Sequence, residues 1–88
     1  MSDNYPNPFN PITNIDIELK EMSHLKISII NTEGKEIKVI SNQNYSAGRI
    51  TSQWDGSNAD GRLMPSGIYY YRLKSDRSVI SKKMLLIK

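Results

Sequence analysis

The sequence predicts an all-β sandwich, and three observations carry the prediction. Twelve Ile, two Val, three Thr and five Tyr make up a quarter of the 88 residues, against only two Ala. β-branched and aromatic side chains fit a pleated, half-buried surface, whereas Ala is the best helix former. Period-two alternation recurs along the chain, and no stretch carries the 3.6-residue period of a helix of normal length. Turn residues punctuate these segments about every 8–12 residues, the spacing of a sandwich.

The elements follow in order. Tyr5-Pro6-Asn7-Pro8-Phe9-Asn10-Pro11 holds three of the four prolines. Proline fixes φ and pushes the preceding residue to extended conformations, so this segment reads as a strap lying on the sandwich, with Phe9 inserted at one end of the core. From Ile12 to Leu19, Thr13, Ile15, Ile17 and Leu19 alternate with polar residues, the mark of a half-buried strand. Glu21 to His24 reads as a turn. Leu25, Ile27 and Ile29 form a second strand, and Asn31 to Lys35 a tight turn with Gly34 at positive φ. Ile37, Val39 and Ile40 continue as a third strand.

Ser41 to Gly48 is polar and reads as a connection. Ile50, Ser52 and Trp54 mark a fourth strand, and Asp55 to Gly67 is the longest irregular stretch. In the next strand Tyr69, Tyr71 and Leu73 share one face, with Ile68, Tyr70 and Arg72 on the other. Asp76-Arg77 is a two-residue turn without Gly. Val79 to Lys88 is the last strand, and its register is ambiguous, because either set of alternate residues contains apolar side chains. A bulge, or an edge position with both faces partly covered, would reconcile the two. Six strands plus the strap fit an immunoglobulin-like sandwich in one domain over residues 4–88, with residues 1–3 read as linker or added residues.

Composition excludes several classes. Zero Cys removes disulfides and thiolate metal sites. The opening residues lack the basic and apolar regions of a signal peptide. The apolar run Met84 to Ile87 is far short of the roughly 20 residues that span a bilayer, so no membrane insertion is expected. Residues 1–44 carry four Lys/Arg and six Asp/Glu, whereas residues 45–88 carry eight and three. The basic half reads either as a solvated hairpin face with edge-protecting lysines or as a surface for an anionic partner. Without finger spacing or a recognition-helix pattern, nucleic acid is not the expected partner.

Catalysis has little to build on. His24 is the single His and sits among polar residues, with no nucleophile elbow to pair with. No cofactor is implied. Asp55, Asn58 and Asp60 offer an alternative reading as a loose cation site. EF-hand spacing fails there, because position 12 falls on Gly67, and Asx turns explain the same residues. Trp54 and Tyr69 to Tyr71 read as core and cross-strand packing, with a sugar-stacking platform built on Trp54 and Tyr70 as the alternative. Tyr70 is the aromatic expected to be exposed.

Eight pieces in order resemble a known pattern. They are the Tyr5–Pro11 segment, Ile15 to Leu19, Gly34-Lys35-Glu36-Ile37, Ala47-Gly48, Trp54-Asp55-Gly56, Asp60-Gly61, Pro65-Ser66-Gly67-Ile68-Tyr69-Tyr70-Tyr71-Arg72-Leu73, and Lys83 to Lys88. Together they closely resemble the type A C-terminal sorting domain of the type IX secretion system, a family related to the immunoglobulin-like domain of the flagellar hook-capping protein. The resemblance implies about seven antiparallel strands and a non-catalytic signal. That signal directs a fused N-terminal cargo from the periplasm through the outer-membrane translocon of Bacteroidetes and related phyla, for release or attachment at the cell surface. It implies translocon, shuttle or sortase-like components as partners.

Carried over by position, recognition falls on Gly34 and Ile37, on Pro65, Gly67 and Tyr69, and on Lys83, Leu85, Leu86, Ile87 and Lys88. The last four residues read as a native C-terminus. An exposed last strand would allow strand addition by a partner, or an edge-strand homodimer. Lys20 stands where the family often has Pro, and Asp76-Arg77 is shorter than the family's usual turn. The alternative readings are a structural immunoglobulin-like or hook-cap-type module and a carbohydrate-binding module of a surface protein.

Overall fold

A computed structural model describes Asp3, Tyr5 and residues 12–87. Its strands are β1 (Thr13–Leu19), β2 (Ser23–Ile30), β3 (Glu36–Tyr45), β4 (Gly48–Trp54), β5 (Gly67–Lys74) and β6 (Val79–Leu86). They form two layers, a pair β1-β4 and a four-stranded sheet in the order β3-β2-β5-β6. Every strand pairing is antiparallel. This is the predicted all-β, immunoglobulin-like sandwich, with six strands among the described residues. The strap contributes an isolated bridge in which Tyr5 exchanges two 2.9 Å backbone hydrogen bonds with Asn14. The expected insertion of Phe9 lies outside the described residues.

Alternation places the core as the sequence reads it. Thr13, Ile15 and Ile17 of β1, Leu25, Ile27 and Ile29 of β2, Ser52 and Trp54 of β4, and Tyr69, Tyr71 and Leu73 of β5 are all buried. The last strand resolves its ambiguity without a bulge. Its eight pairs with β5 run without a register shift, and Met84 and Leu86 point inward while Leu85 is exposed. The odd-numbered residues of β6 face away from the core and are exposed, so they need not be apolar.

Two expectations need correction. Ser23 and His24 belong to β2 and not to a turn, and β3 runs on through the polar Ser41–Tyr45. These two stretches pair with each other, Ser23 opposite Tyr45 and His24 opposite Asn44, and backbone ladder bonds need no apolar side chains. Val39 is exposed while Ile37 and Ile40 pack against the core. The cause is a pair of register shifts in β2–β3, at Ile27/Ser28 and Ile29/Ile30, which break the period-two rule along β3.

The Gly-free turn at Asp76-Arg77 closes as expected, with Ser75 N–H donating to the Ser78 carbonyl at 2.9 Å. The Ser75 hydroxyl accepts the Ser78 N–H at 3.2 Å, so a side chain supplies an acceptor inside the turn.

Ile29 lies at the centre of the core and is fully buried. Ile29→Ala is expected to lower unfolding free energy by about 2–5 kcal/mol, read as a drop in the urea midpoint at unchanged slope.

Candidate functional site

The ladder registers gather the sequence-predicted residues at one end of the sandwich. Ile30 stands opposite both Glu36 and Tyr70, and Gly67 stands opposite Leu86. The β2–β3 turn, the start of β5 and the end of β6 are therefore neighbours, and the 55–66 loop after Trp54 joins them. Gly34 and Ile37, Pro65, Gly67 and Tyr69, and Leu85, Leu86 and Ile87 converge there. Lys83 lies further along β6, opposite Tyr70. Lys88 lies outside the described residues.

Their environments differ. Tyr69 and Leu86 are buried and Ile37 is half-buried, so these support the end from within. Leu85 and Ile87 are 41% and 45% exposed, large apolar side chains presented to solvent. Lys83 and Pro65 are exposed. The Pro65 carbonyl accepts the Tyr69 hydroxyl at 2.7 Å. This closure, from a tyrosine back to backbone just upstream, is a hallmark of immunoglobulin-type sandwiches.

Two turns at this end share one construction, which a search for long repeats misses. Asn31-Thr32-Glu33-Gly34-Lys35 and Asn58-Ala59-Asp60-Gly61-Arg62 both read Asn-x-x-Gly-Lys/Arg. In the first, Asn31 Oδ1 accepts the Glu33 and Lys35 amides at 3.0 and 2.9 Å, and Gly34 N–H donates to the Asn31 carbonyl at 3.0 Å. In the second, Asn58 Oδ1 accepts the Asp60 and Arg62 amides, both at 3.0 Å, and Gly61 N–H donates to the Asn58 carbonyl at 3.0 Å. Gly34 and Gly61 have φ of 85° and 82°, left-handed values that carry a Cβ penalty for other residues. Ala59 N–H donates to the Ile37 carbonyl at 3.0 Å and ties the two turns together. A short five-residue motif comparison would have found the pair.

The alternative cation reading of this loop meets a different chemistry. Asp55 Oδ1 accepts the Ser57 hydroxyl at 2.5 Å and the Ser57 amide at 3.0 Å, and lies 3.5 Å from Lys38 Nζ. The Ser57 hydroxyl is the chief cause holding the Asp55 carboxyl below its usual range, against the opposing effect of burial. Asn58 Oδ1 is engaged by backbone amides. Among the described residues, no group of three His, Cys, Asp or Glu side chains is placed to hold a metal.

Carbohydrate stacking is likewise not supported at Trp54, which is 1% exposed. Its indole N–H donates to the Ser57 carbonyl at 2.7 Å, and its ring meets Tyr69 edge-on at 5.2 Å. Tyr70, expected to be exposed, is half-buried.

His24 stands at the opposite end of the sheet, on β2. Its Nδ1 and Nε2 lie 2.8 Å from Asn44 Oδ1 and 2.6 Å from Asn42 Oδ1. With an acceptor oxygen at each ring nitrogen, the arrangement suits the imidazolium, which donates from both. Asn42 first and then Asn44 raise its pKa, with Asp76 adding to them and desolvation opposing.

The fold is an antiparallel, immunoglobulin-like sandwich whose sequence motifs meet at one end. The chain belongs to the secretion system C-terminal sorting domain family, whose profile matches residues 3–88. That family is the C-terminal sorting domain of a secretion system, the kind of domain that the eight sequence pieces resemble. No curated protein sequence matches the chain at a significant level.

Solved structures agree in fold. Dimeric latent PorU from Porphyromonas gingivalis superposes with a TM-score of 0.73 at 18% identity, over 96% of this chain and 9% of that one. FlgD from P. aeruginosa gives 0.65 at 20% identity, over 85% and 59%. PorZ, described as an essential bacterial surface component of the type IX secretion system of P. gingivalis, gives 0.63 at 18% identity, over 97% and 11%. The chain thus spans about a tenth of PorU and of PorZ.

Two outcomes follow from the site. Tyr69→Phe removes the hydroxyl that closes onto Pro65 and is expected to lower stability by about 0.5–1.5 kcal/mol in chemical denaturation, with the fold retained. His24 has a raised folded-state pKa, so its stabilisation is full below its unfolded value and is lost as pH rises through the folded one. The denaturation midpoint of the native chain relative to His24→Gln should therefore be highest well below about pH 6.5 and fall across the range above it. A constant difference across that range would exclude the imidazolium clamp.

Proposed function

We propose that the end of the sandwich where the motifs converge is the surface by which the secretion machinery reads this domain. The observation that carries the reading is the meeting of three segments far apart in sequence, the Gly34–Ile37 turn, the Pro65–Tyr69 entry to β5 and the Leu85–Ile87 terminus. Tyr69, Gly67 and Leu86 form the support, and Leu85, Ile87 and Lys83 are the side chains a partner meets. The partners are the translocon and the shuttle or sortase-like components of the type IX system. Residues 4–88 act as one unit behind an N-terminal cargo, which crosses the periplasm before release or attachment at the cell surface.

Recognition on a folded domain suits this geometry. Apolar side chains held out on a rigid ladder lose little conformational freedom when a partner covers them. β6 also forms the border of its sheet, where strand addition takes place in other systems.

A cargo reporter fused to this chain, expressed in a type IX-competent host, tests the reading. Deleting Leu85 to Lys88 should abolish export. Because Leu86 is buried, the decisive variant is Leu85→Asn/Ile87→Asn, which changes exposed positions and leaves the core intact. It should reduce export at least tenfold while the purified domain keeps its thermal midpoint. Normal surface delivery by that variant would sink the assignment.

A further inference from the structure

The outward face of the four-stranded sheet carries more positive charge than the fold requires. Lys26 on β2, Arg72 and Lys74 on β5 and Lys83 on β6 all stand on it. Lys26 is placed directly opposite Lys74 in the ladder, and Arg72 lies one alternate position along. Like charges directly opposite on a sheet are destabilising. Glu36 bridges Lys26 at 3.1 Å and Arg72 at 3.3 Å, and neither Lys74 nor Lys83 is within ion-pair distance of a carboxylate among the described residues. Edge protection accounts for a lysine on β6, which ends the sheet. It does not account for Lys74, which sits on an interior strand facing another lysine.

Apolar groups complete the face. Ile68 and Leu85, each 41% exposed, are paired across β5 and β6, and the half-buried Tyr70 stands opposite Lys83. The eight β5–β6 pairs contain no register shift, so outward side chains recur regularly along the strand, about 6.8 Å apart. Alternate side chains of an extended polypeptide laid along the face have the same repeat.

We propose that this face docks an extended acidic polypeptide segment that carries an apolar residue. Its carboxylates meet Lys74, Lys83 and the Lys26–Arg72 pair, and its apolar residue covers Ile68 and Leu85. The inference deepens the preceding reading and rests on it for the choice of a polypeptide over a lipid surface. Charge complementarity sets the encounter rate and the salt dependence, and the apolar end fixes the register.

The test uses the full 88-residue chain and a random glutamate–tyrosine copolymer as probe, with polyglutamate and phosphatidylglycerol vesicles for comparison. Copolymer binding at low salt should weaken as salt rises. Lys74→Ala/Lys83→Ala should weaken it roughly threefold to tenfold. Lys20→Ala/Arg49→Ala removes the same net charge away from the face and should leave binding unchanged. Ile68→Ser should weaken the copolymer but not polyglutamate. Lys74→Ala should meanwhile leave the thermal midpoint equal or higher, because it relieves the facing lysines, which a purely structural lysine would not show.

Absence of copolymer binding, equal loss in the two double variants, or preference for the vesicles would overturn the proposal. Export failure of the Leu85/Ile87 variant without any copolymer binding would reject this face alone. Intact export beside intact binding would reject the recognition surface and leave the acidic docking face standing.

Discussion

Three aromatic residues must bury their rings and still satisfy their polar tips, and the motif-bearing end of the domain depends on how they do so. Trp54 donates its indole N–H to Ser57, Tyr69 its hydroxyl to Pro65, and Tyr71 shares a 3.2 Å hydrogen bond with Ser52 across the two sheets. A buried polar group without a partner costs about 1–3 kcal/mol, so these contacts constrain conformation as well as adding stability. Two of the acceptors belong to the 55–66 loop. The core thereby fixes a stretch with no regular secondary structure.

That fixed loop is what lets distant segments act as one surface. Trp54 holds Ser57, the Asn58 turn hands Ala59 to Ile37, and Tyr69 holds Pro65 beside Gly67 and Leu86. A recognition surface on loops would ordinarily be mobile, because loops make few buried contacts. Here each loop is tied to the core or to its twin turn, and the exposed Leu85 projects from β6 with Ile87 directly after its end. The domain has no staples and about 60–65% of its surface to bury, so such anchoring carries much of its order.

Much of the candidate site was legible as residues and little of it as a place. Gly34 announces its positive φ, because Asn-x-x-Gly-Lys marks a turn chemically. Leu85 and Leu86 look alike in sequence, yet one is exposed and one buried, since β6 takes its register from Tyr69 and its neighbours. Val39 lies two residues from Ile37, yet it is exposed while Ile37 packs inward, because two register shifts interrupt the β2–β3 ladder. The polar Ser41–Tyr45 stretch carries no hydrophobic signal, and it is a strand only because β2 lies beside it to pair with.

The sequence by itself determined the all-β class, the inward faces of β1, β2, β4 and β5, the lack of cysteine chemistry and the family pattern, because period-two burial, turn chemistry and composition are local properties. Tertiary structure decided the register of β6, the length of β3, the clamp on His24, the meeting of Lys26 with Lys74, and the gathering of three motifs at one end. Each of these depends on which strands become neighbours. Pairing is a long-range choice made by burial and hydrogen bonding across the whole domain, and no window of residues contains it.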